Sequence, residues 1–206
     1  MQSAARVTKP PQPPAVAEES RLWEFTLADY HRMIAGGILG EDDRCEFING
    51  QVLKVMPPNP PHAHVTRALI KFLARLFASD DWVVGIQDPV TLSRNSPQPD
   101  FYAAVGPNSR YAARLPGPRD LVLVLEVSDT SVAFDTATKL VMYAREKIPQ
   151  YWIVNLRVRR VEVYTQPRGG RSPGYKTRTD YGPDDAVPVV VNGVTLGIIP
   201  VRKLLP

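Results

Sequence analysis

The chain lacks the cysteines and the long apolar runs that identify several common protein classes. Only one of its 206 residues is a cysteine, Cys45, which excludes a disulfide framework and any zinc cluster built from cysteines. No apolar run approaches the ~20 residues needed to cross a bilayer, so a membrane partner is not expected. The N-terminal segment has no secretory apolar core, and a cytoplasmic location is therefore the expectation.

The sequence motifs of several enzyme classes are missing as well. There is no Gly-rich phosphate loop ending in Gly-Lys-Ser/Thr, no dinucleotide fingerprint, no His-Glu-x-x-His and no Gly-x-Ser-x-Gly. The formal net charge is only +4, which permits a polyanionic partner without requiring one. The missing motifs exclude several common enzyme classes.

Composition divides the chain into a tail and one domain. Residues 1–20 are rich in proline and have almost no large apolar groups, so we expect a flexible tail. Residues 21–206 are long enough to form a single domain with its own core.

Helical and strand-like patterns alternate along this domain. Apolar periodicity predicts helices over 27–35, 64–79 and 135–148. Shorter apolar runs predict strands at 82–87, 89–93, 100–105 and 121–127, two further strands within 150–166, a hairpin around Asn49-Gly50, and further hairpin material at 173–182 and 186–199. This order predicts an α/β or α+β fold, with a mixed central sheet flanked by helices and additional β-hairpins.

Glu126 interrupts the most apolar run of the domain. Leu121 to Leu125 is unbroken and Val127 follows, and apolarity on both faces is typical of a central strand in a covered sheet. An uncompensated buried carboxylate costs several kcal/mol or becomes protonated. Either this strand end is exposed and Glu126 makes a local salt bridge, or a cation meets Glu126 inside the protein.

Asp100 and Lys139 are the candidate partners of Glu126. Antiparallel pairing of the strands would bring Asp100 and Glu126 to the same edge of the sheet, where two carboxylates suit Mg²⁺. Asp135, Lys139 and Tyr143 share one flank of the next helix at i, i+4 spacing, so Lys139 is placed to lean over the strand end. The alternative is that Lys139 pairs with Asp135 on a solvated helix face, and that Asp100 is a turn residue.

An ordered set of motifs resembles the Uma2 (Uma-two) family of restriction-endonuclease-like proteins, within the PD-(D/E)XK nuclease superfamily. The likeness covers roughly residues 22–205. The motifs are Pro99-Asp100, Glu126-Val127-Ser128, Asp135 with Lys139, Tyr143-Ala144, and Pro149 to Val154.

The resemblance implies a restriction-endonuclease-like core that hydrolyses DNA with Mg²⁺ or Mn²⁺. Asp100, Glu126 and the Val127 carbonyl would bind the metal, and Lys139 would assist the attacking water. Ser128 stands where the plain superfamily motif has its lysine, so the lysine on the helix takes that role.

Three further residues are candidates for an accessory role in this site. They are Glu46 in the first hairpin, which could join the metal site or contact Lys139, His64 at a helix start, and Tyr143. A carboxylate in the position of Glu46 is more typical of the exposed face of a strand. His62 is assigned to a loop. DNA is the expected partner, and a homodimer or higher homo-oligomer is expected because a two-fold dimer more easily cuts both strands of a duplex. The alternatives are an inactive nucleic-acid or protein-interaction module on the same fold, and a hydrolase of small phosphate esters.

Overall fold

The computed structural model describes residues 22–40 and 42–205. The predicted tail, 1–20, lies outside these residues, so its flexibility and the division into tail and domain remain predictions. The elements in chain order are α1 (Leu27–Ala35), β1 (Cys45–Ile48), β2 (Gln51–Lys54), α2 (Pro60–Leu76), β3 (Trp82–Gly85), β4 (Phe101–Val105), β5 (Leu121–Ser128), α3, β6 (Gln150–Asn155), β7 (Arg160–Arg168), β8 (Gly174–Tyr181), β9 (Ala186–Val191) and β10 (Val194–Pro200). We use α3 for the continuous helix made of Val132–Phe134, the π-helical turn Asp135–Lys139 and Leu140–Arg145.

A six-stranded mixed sheet forms the centre of the molecule. Its strand order is β3-β4-β5-β6-β7-β8; β5 and β6 run parallel and the other neighbours are antiparallel. Strand β5 lies inside the sheet, and all eight of its residues are buried. The predicted mixed sheet flanked by helices is therefore confirmed.

Each face of the sheet packs against a different layer. On one face, Leu123 and Leu125 of β5 join a core with Leu69 of α2 and Val189 of β9. On the other face, Val124 joins a core with Met142 and Tyr143 of α3. Both faces of β5 are thus covered, as its continuous apolarity predicts. Among the described residues, no helix is both long and apolar enough to cross a membrane.

The predicted hairpin at Asn49-Gly50 is confirmed. Strands β1 and β2 pair antiparallel around these two residues, which both have positive φ, 49° and 77°. That geometry is the type I′ turn for which Asn-Gly is the preferred sequence. The hairpin places Glu46 of β1 inside the protein, so the interpretation of Glu46 as an exposed strand residue is wrong.

Two local predictions are wrong. Residues 89–93 form no strand, although Val90 and Leu92 are fully buried, because their backbone amides donate to the loop carbonyls of Asn95, Pro97 and Pro116 and not to a strand. Helix α2 begins at Pro60 rather than His64, since Asn59 caps it and Pro occupies its first turn. His62 is consequently a helical residue and not a loop residue.

Candidate active site

The antiparallel pairing of β4 with β5 places Asp100 beside the end of β5. Phe101 pairs with Leu125, so Asp100, one residue before β4, lies next to Glu126 and Val127. The Asp100 carboxylate accepts a hydrogen bond from the Val127 backbone N–H at 2.8 Å. Asp100 is therefore bound to the strand that carries Glu126 and is not a free turn residue.

Glu126 is buried and meets a cation. Its side chain is 5% exposed, and Oε1 accepts hydrogen bonds from Lys139 Nζ at 2.9 Å and from the Tyr143 hydroxyl at 3.1 Å. Both donors lie on α3, which covers this face of the sheet. Of the two alternatives for Glu126, the exposed strand end is wrong and the internal cation is confirmed.

Lys139 lies between two carboxylates from distant parts of the chain. Its ammonium is 2.9 Å from Oε1 of Glu126 and 2.9 Å from Oε1 of Glu46. Glu46 also accepts the backbone N–H of Gln98 at 2.8 Å. The alternative in which Lys139 pairs with Asp135 on a solvated helix face is wrong, because the Asp135 carboxylate instead accepts hydrogen bonds from Ser128 and Ser131.

The π-helical turn of α3 brings these groups to the sheet. Asp135 and Lys139 lie at its two ends, and both side chains are buried. A π turn contains one more residue than an α turn, and such turns are frequent at functional sites. Here it directs both polar side chains inward while the apolar residues of Leu140–Arg145 still pack on the core.

The charges of this cluster do not balance. Burial raises the pKa of the Glu126 carboxyl well above its usual range, and the Lys139 ammonium offsets this only in part. Burial alone would lower the pKa of Lys139, but the carboxylates of Glu126 and Glu46 outweigh burial and raise it. Lys139 therefore stays protonated and acts as a cation, and the surplus of carboxylates favours uptake of a further cation.

Asp100 has a second set of partners on its outer side. Its Oδ2 is 3.1 Å from Nε2 of His62, and its Oδ1 accepts a hydrogen bond from the Gln87 side-chain amide at 3.2 Å. Burial alone would raise the pKa of Asp100, but His62 and the Val127 N–H hold it below its usual value. Asp100 is thus an ionised carboxylate with a fixed orientation.

His62, and not His64, is the histidine of this site. His64 is exposed, whereas His62 contacts Asp100 and lines the cleft. A sequence signal for this was available. His62 precedes Val65 by three residues and Leu69 by seven, so it continues the buried stripe of α2 once the helix is known to begin at Pro60.

These groups line an open cleft of about 720 Å³. Two ammonium groups, Lys54 and Lys139, face five carboxylates there: Glu46, Asp100, Glu126, Asp129 and Asp135. Within the described residues, no group of three or more His, Cys, Asp or Glu side chains is arranged to hold a metal ion. A metal at this site would therefore rest on two carboxylates, completed by carbonyl oxygen and water.

Comparison with solved structures supports a nuclease-like fold. The chain resembles a "putative nuclease belonging to DUF820" from Anabaena variabilis ATCC 29413, with a TM-score of 0.64 and 14% sequence identity. The match covers 87% of this chain and 97% of that one. No curated protein matches the chain.

Comparison with protein families gives a match over most of the chain. The model of the Uma2 family, described as "Putative restriction endonuclease", matches residues 27–198. These residues include every element from α1 to β9 and all the residues of the cleft. The chain belongs to the Uma2 family.

Proposed function

We propose that the protein is a metal-dependent endonuclease that hydrolyses phosphodiester bonds in DNA. The observation that carries the proposal is the buried contact of Lys139 with Glu126, next to Asp100, at the wall of an open cleft. A strand that is apolar on both faces gains nothing in stability from such a pair, because desolvation of buried charges commonly cancels their attraction. Membership of a family of restriction-endonuclease type supports the same reading.

The residues of the cleft fit Mg²⁺ or Mn²⁺. These hard cations prefer oxygen ligands, and Mg²⁺ typically takes one or two carboxylates while keeping several waters for a substrate phosphate. Asp100 and Glu126 supply the two carboxylates, and the Val127 carbonyl is the third proposed ligand. The excess of carboxylates over ammonium groups in the cleft favours a divalent cation there.

Each side chain has a separate role in this proposal. Bound metal would lower the pKa of a water and polarise the phosphate. The Lys139 ammonium orients the attacking water and offsets negative charge that develops on the phosphoryl oxygens. Glu46 also holds that ammonium, and the Tyr143 hydroxyl fixes the Glu126 carboxylate. Gln87 and His62 fix Asp100.

A cleavage assay tests the proposed function. Supercoiled and single-stranded DNA are incubated with the protein in Mg²⁺, in Mn²⁺ and in EDTA, together with the Asp100→Asn variant. We expect the wild type to cleave DNA in Mg²⁺ or Mn²⁺ but not in EDTA. We expect the Asp100→Asn variant not to cleave DNA under any of these conditions. Hydrolysis of a small phosphodiester without any DNA cleavage would assign the site to small phosphate esters, and inactivity on both would assign the fold to a binding module.

A further inference from the structure

The solvent-facing side of α2 carries a stripe of basic side chains. His64, Arg67, Lys71 and Arg75 are all exposed and follow one another at intervals of three or four residues. At 3.6 residues per turn they fall within an arc of about 80° and extend over about 16 Å of helix. The opposite side of the helix carries the buried Val65, Leu69 and Leu73.

The charge of this stripe is not compensated locally. Helix α2 contains no Asp or Glu among its 17 residues. Within the described part of the chain, Arg67, Lys71 and Arg75 make neither an ion pair nor a side-chain hydrogen bond. By contrast, Arg157, Arg160, Arg178 and Arg202, which are also surface arginines, each pair with a carboxylate. The stripe therefore keeps its full attraction for an anion from solution.

Helix α2, which carries the stripe, begins at the candidate active site. Asn59 caps α2 and lines the cleft, and His62 in the first turn contacts Asp100. The cleft itself has five carboxyl groups against two ammonium groups, so it presents no surplus of ammonium charge to a polyanion. Affinity for a polyanionic substrate must then come from cations outside the cleft.

We propose that the outer face of α2 binds the phosphate backbone of DNA that extends out of the cleft. This inference rests on the proposed function, and it identifies a polynucleotide, rather than a small ester, as the substrate class. Basic groups along one helix face contact successive phosphates without reading bases, so the stripe supplies affinity and orientation and not sequence specificity. A membrane surface does not fit, because the apolar side of α2 is already packed against the core and cannot enter a bilayer.

The test compares two triple variants that lose the same charge. The stripe variant is Arg67→Gln, Lys71→Gln, Arg75→Gln. The control is Arg168→Gln, Arg171→Gln, Lys176→Gln, three exposed positions at the turn end of the β7–β8 hairpin, outside the cleft. Binding to a short DNA duplex of mixed sequence is measured by fluorescence anisotropy in EDTA over a range of salt concentrations. Thermal unfolding of both variants checks that they are folded.

The stripe variant is expected to bind DNA at least about 10-fold more weakly than wild type, with a salt dependence reduced by about 0.9 in slope for each lost contact. The control variant should stay close to wild type in both DNA affinity and salt dependence. Hydrolysis of a small phosphodiester, where the wild type shows it, should be unchanged in the stripe variant.

Equal losses in the two variants, no loss in the stripe variant, or no DNA binding by the wild type would each overturn the proposal. Binding of the wild type to vesicles of anionic phospholipid but not to DNA would also overturn it, and would assign the stripe to a membrane surface. Because EDTA removes the metal, this result is independent of cleavage. A protein that binds DNA through α2 and never cuts it would refute the proposed nuclease activity alone.

Discussion

At the scale of single residues, the three groups Asp100, Glu126 and Lys139 differ in what holds them. Asp100 is fixed by a backbone amide, by His62 and by Gln87. Lys139 has two carboxylate partners, and its raised pKa keeps it charged. Removing a carboxylate and removing the ammonium should therefore have different consequences for metal binding and for catalysis.

The first prediction separates metal binding from catalysis. Asp100→Asn and Glu126→Gln each remove a ligand charge, so Mg²⁺ affinity should fall by at least about 10-fold and cleavage should be lost. Lys139→Gln keeps both carboxylates and removes a competing positive charge. It should bind Mg²⁺ at least as well as wild type, while the single-turnover rate falls by about 100-fold. Titration calorimetry and single-turnover kinetics measure the two quantities.

The control for this set is Lys176→Gln, which removes an exposed lysine on β8 and should change neither quantity. Full cleavage by Lys139→Gln would mean that the lysine only balances buried charge. Unchanged Mg²⁺ affinity in Glu126→Gln would show that the metal does not use this carboxylate.

The second prediction concerns His62 and His64. His62→Gln removes the imidazole contact with Asp100, so the carboxylate loses one of its fixed partners and cleavage should fall by about 10-fold. His64→Gln changes an exposed side chain outside the cleft and should leave the rate on a small phosphodiester unchanged. Equal rates for the two variants on that substrate would exclude a positioning role for His62.

At the scale of elements, sequence periodicity predicted the regular helices and strands and missed the irregular segments. The Asn49-Gly50 hairpin, α2 and the covered strand β5 follow from local patterns, and all three exist in the structure, although α2 begins four residues earlier than predicted. In the run 89–93 the apolar Val90 and Leu92 are buried, but burial alone does not pair a segment with a neighbouring strand. Likewise, i, i+4 spacing cannot reveal a π turn, whose single extra residue changes which side chains face the sheet.

Only the part of the candidate site that follows from strand pairing was predictable from the sequence. Asp100 and Glu126 could be expected together because each marks one end of a strand, and antiparallel pairing brings those ends together. The contact of Lys139 with Glu46 joins residues 93 apart in sequence. No local pattern specifies such a contact, because it depends on how the β1–β2 hairpin packs against α3. The contact of His62 with Asp100 was missed because it depends on where α2 begins.

The third prediction concerns the close packing of β3 on β4. A Cβ at Gly85 would lie 2.1 Å from the ring of Tyr102, its pairing partner, which is buried. Gly85→Ala should therefore lower the free energy of unfolding by about 1–3 kcal/mol, as overpacking of a core does. Gly174→Ala is the matched control, since this strand glycine has open space around it. Chemical denaturation measures both, and a Gly85→Ala variant as stable as Gly174→Ala would contradict the packing argument.

At the scale of the whole molecule, the cleft and its support come from different parts of the chain. Every residue that lines the cleft lies between Glu46 and Lys139. Strands β6 to β10 contribute none of them, but β6 pairs with β5, and β9 and β10 cover one face of the sheet. Under the proposed function this cleft acts on one phosphodiester at a time, so cutting both strands of a duplex calls for a two-fold dimer or for two successive events. The dimer remains a proposal, and analytical ultracentrifugation with and without DNA tests it.

The last prediction measures metal binding through its effect on the stability of the folded state. The proposed ligands and their supports come from the β1–β2 hairpin, the start of β4, the end of β5 and α3, so they are together only in the folded protein. A ligand that binds only the folded state raises its stability, by about 2.7 kcal/mol when the free ligand is 100-fold above its dissociation constant. For a chain of this size, that corresponds to a rise in Tm of about 5–10 °C. Thermal unfolding in saturating Mg²⁺ should show this rise relative to EDTA at matched ionic strength, and Glu126→Gln should show little of it.

The control is Asp184→Asn, which alters a highly exposed carboxylate and should show the same rise in Tm as wild type. A wild-type Tm that is identical in Mg²⁺, Mn²⁺ and EDTA would mean that the surplus carboxylates of the cleft are neutralised by protons and not by a metal.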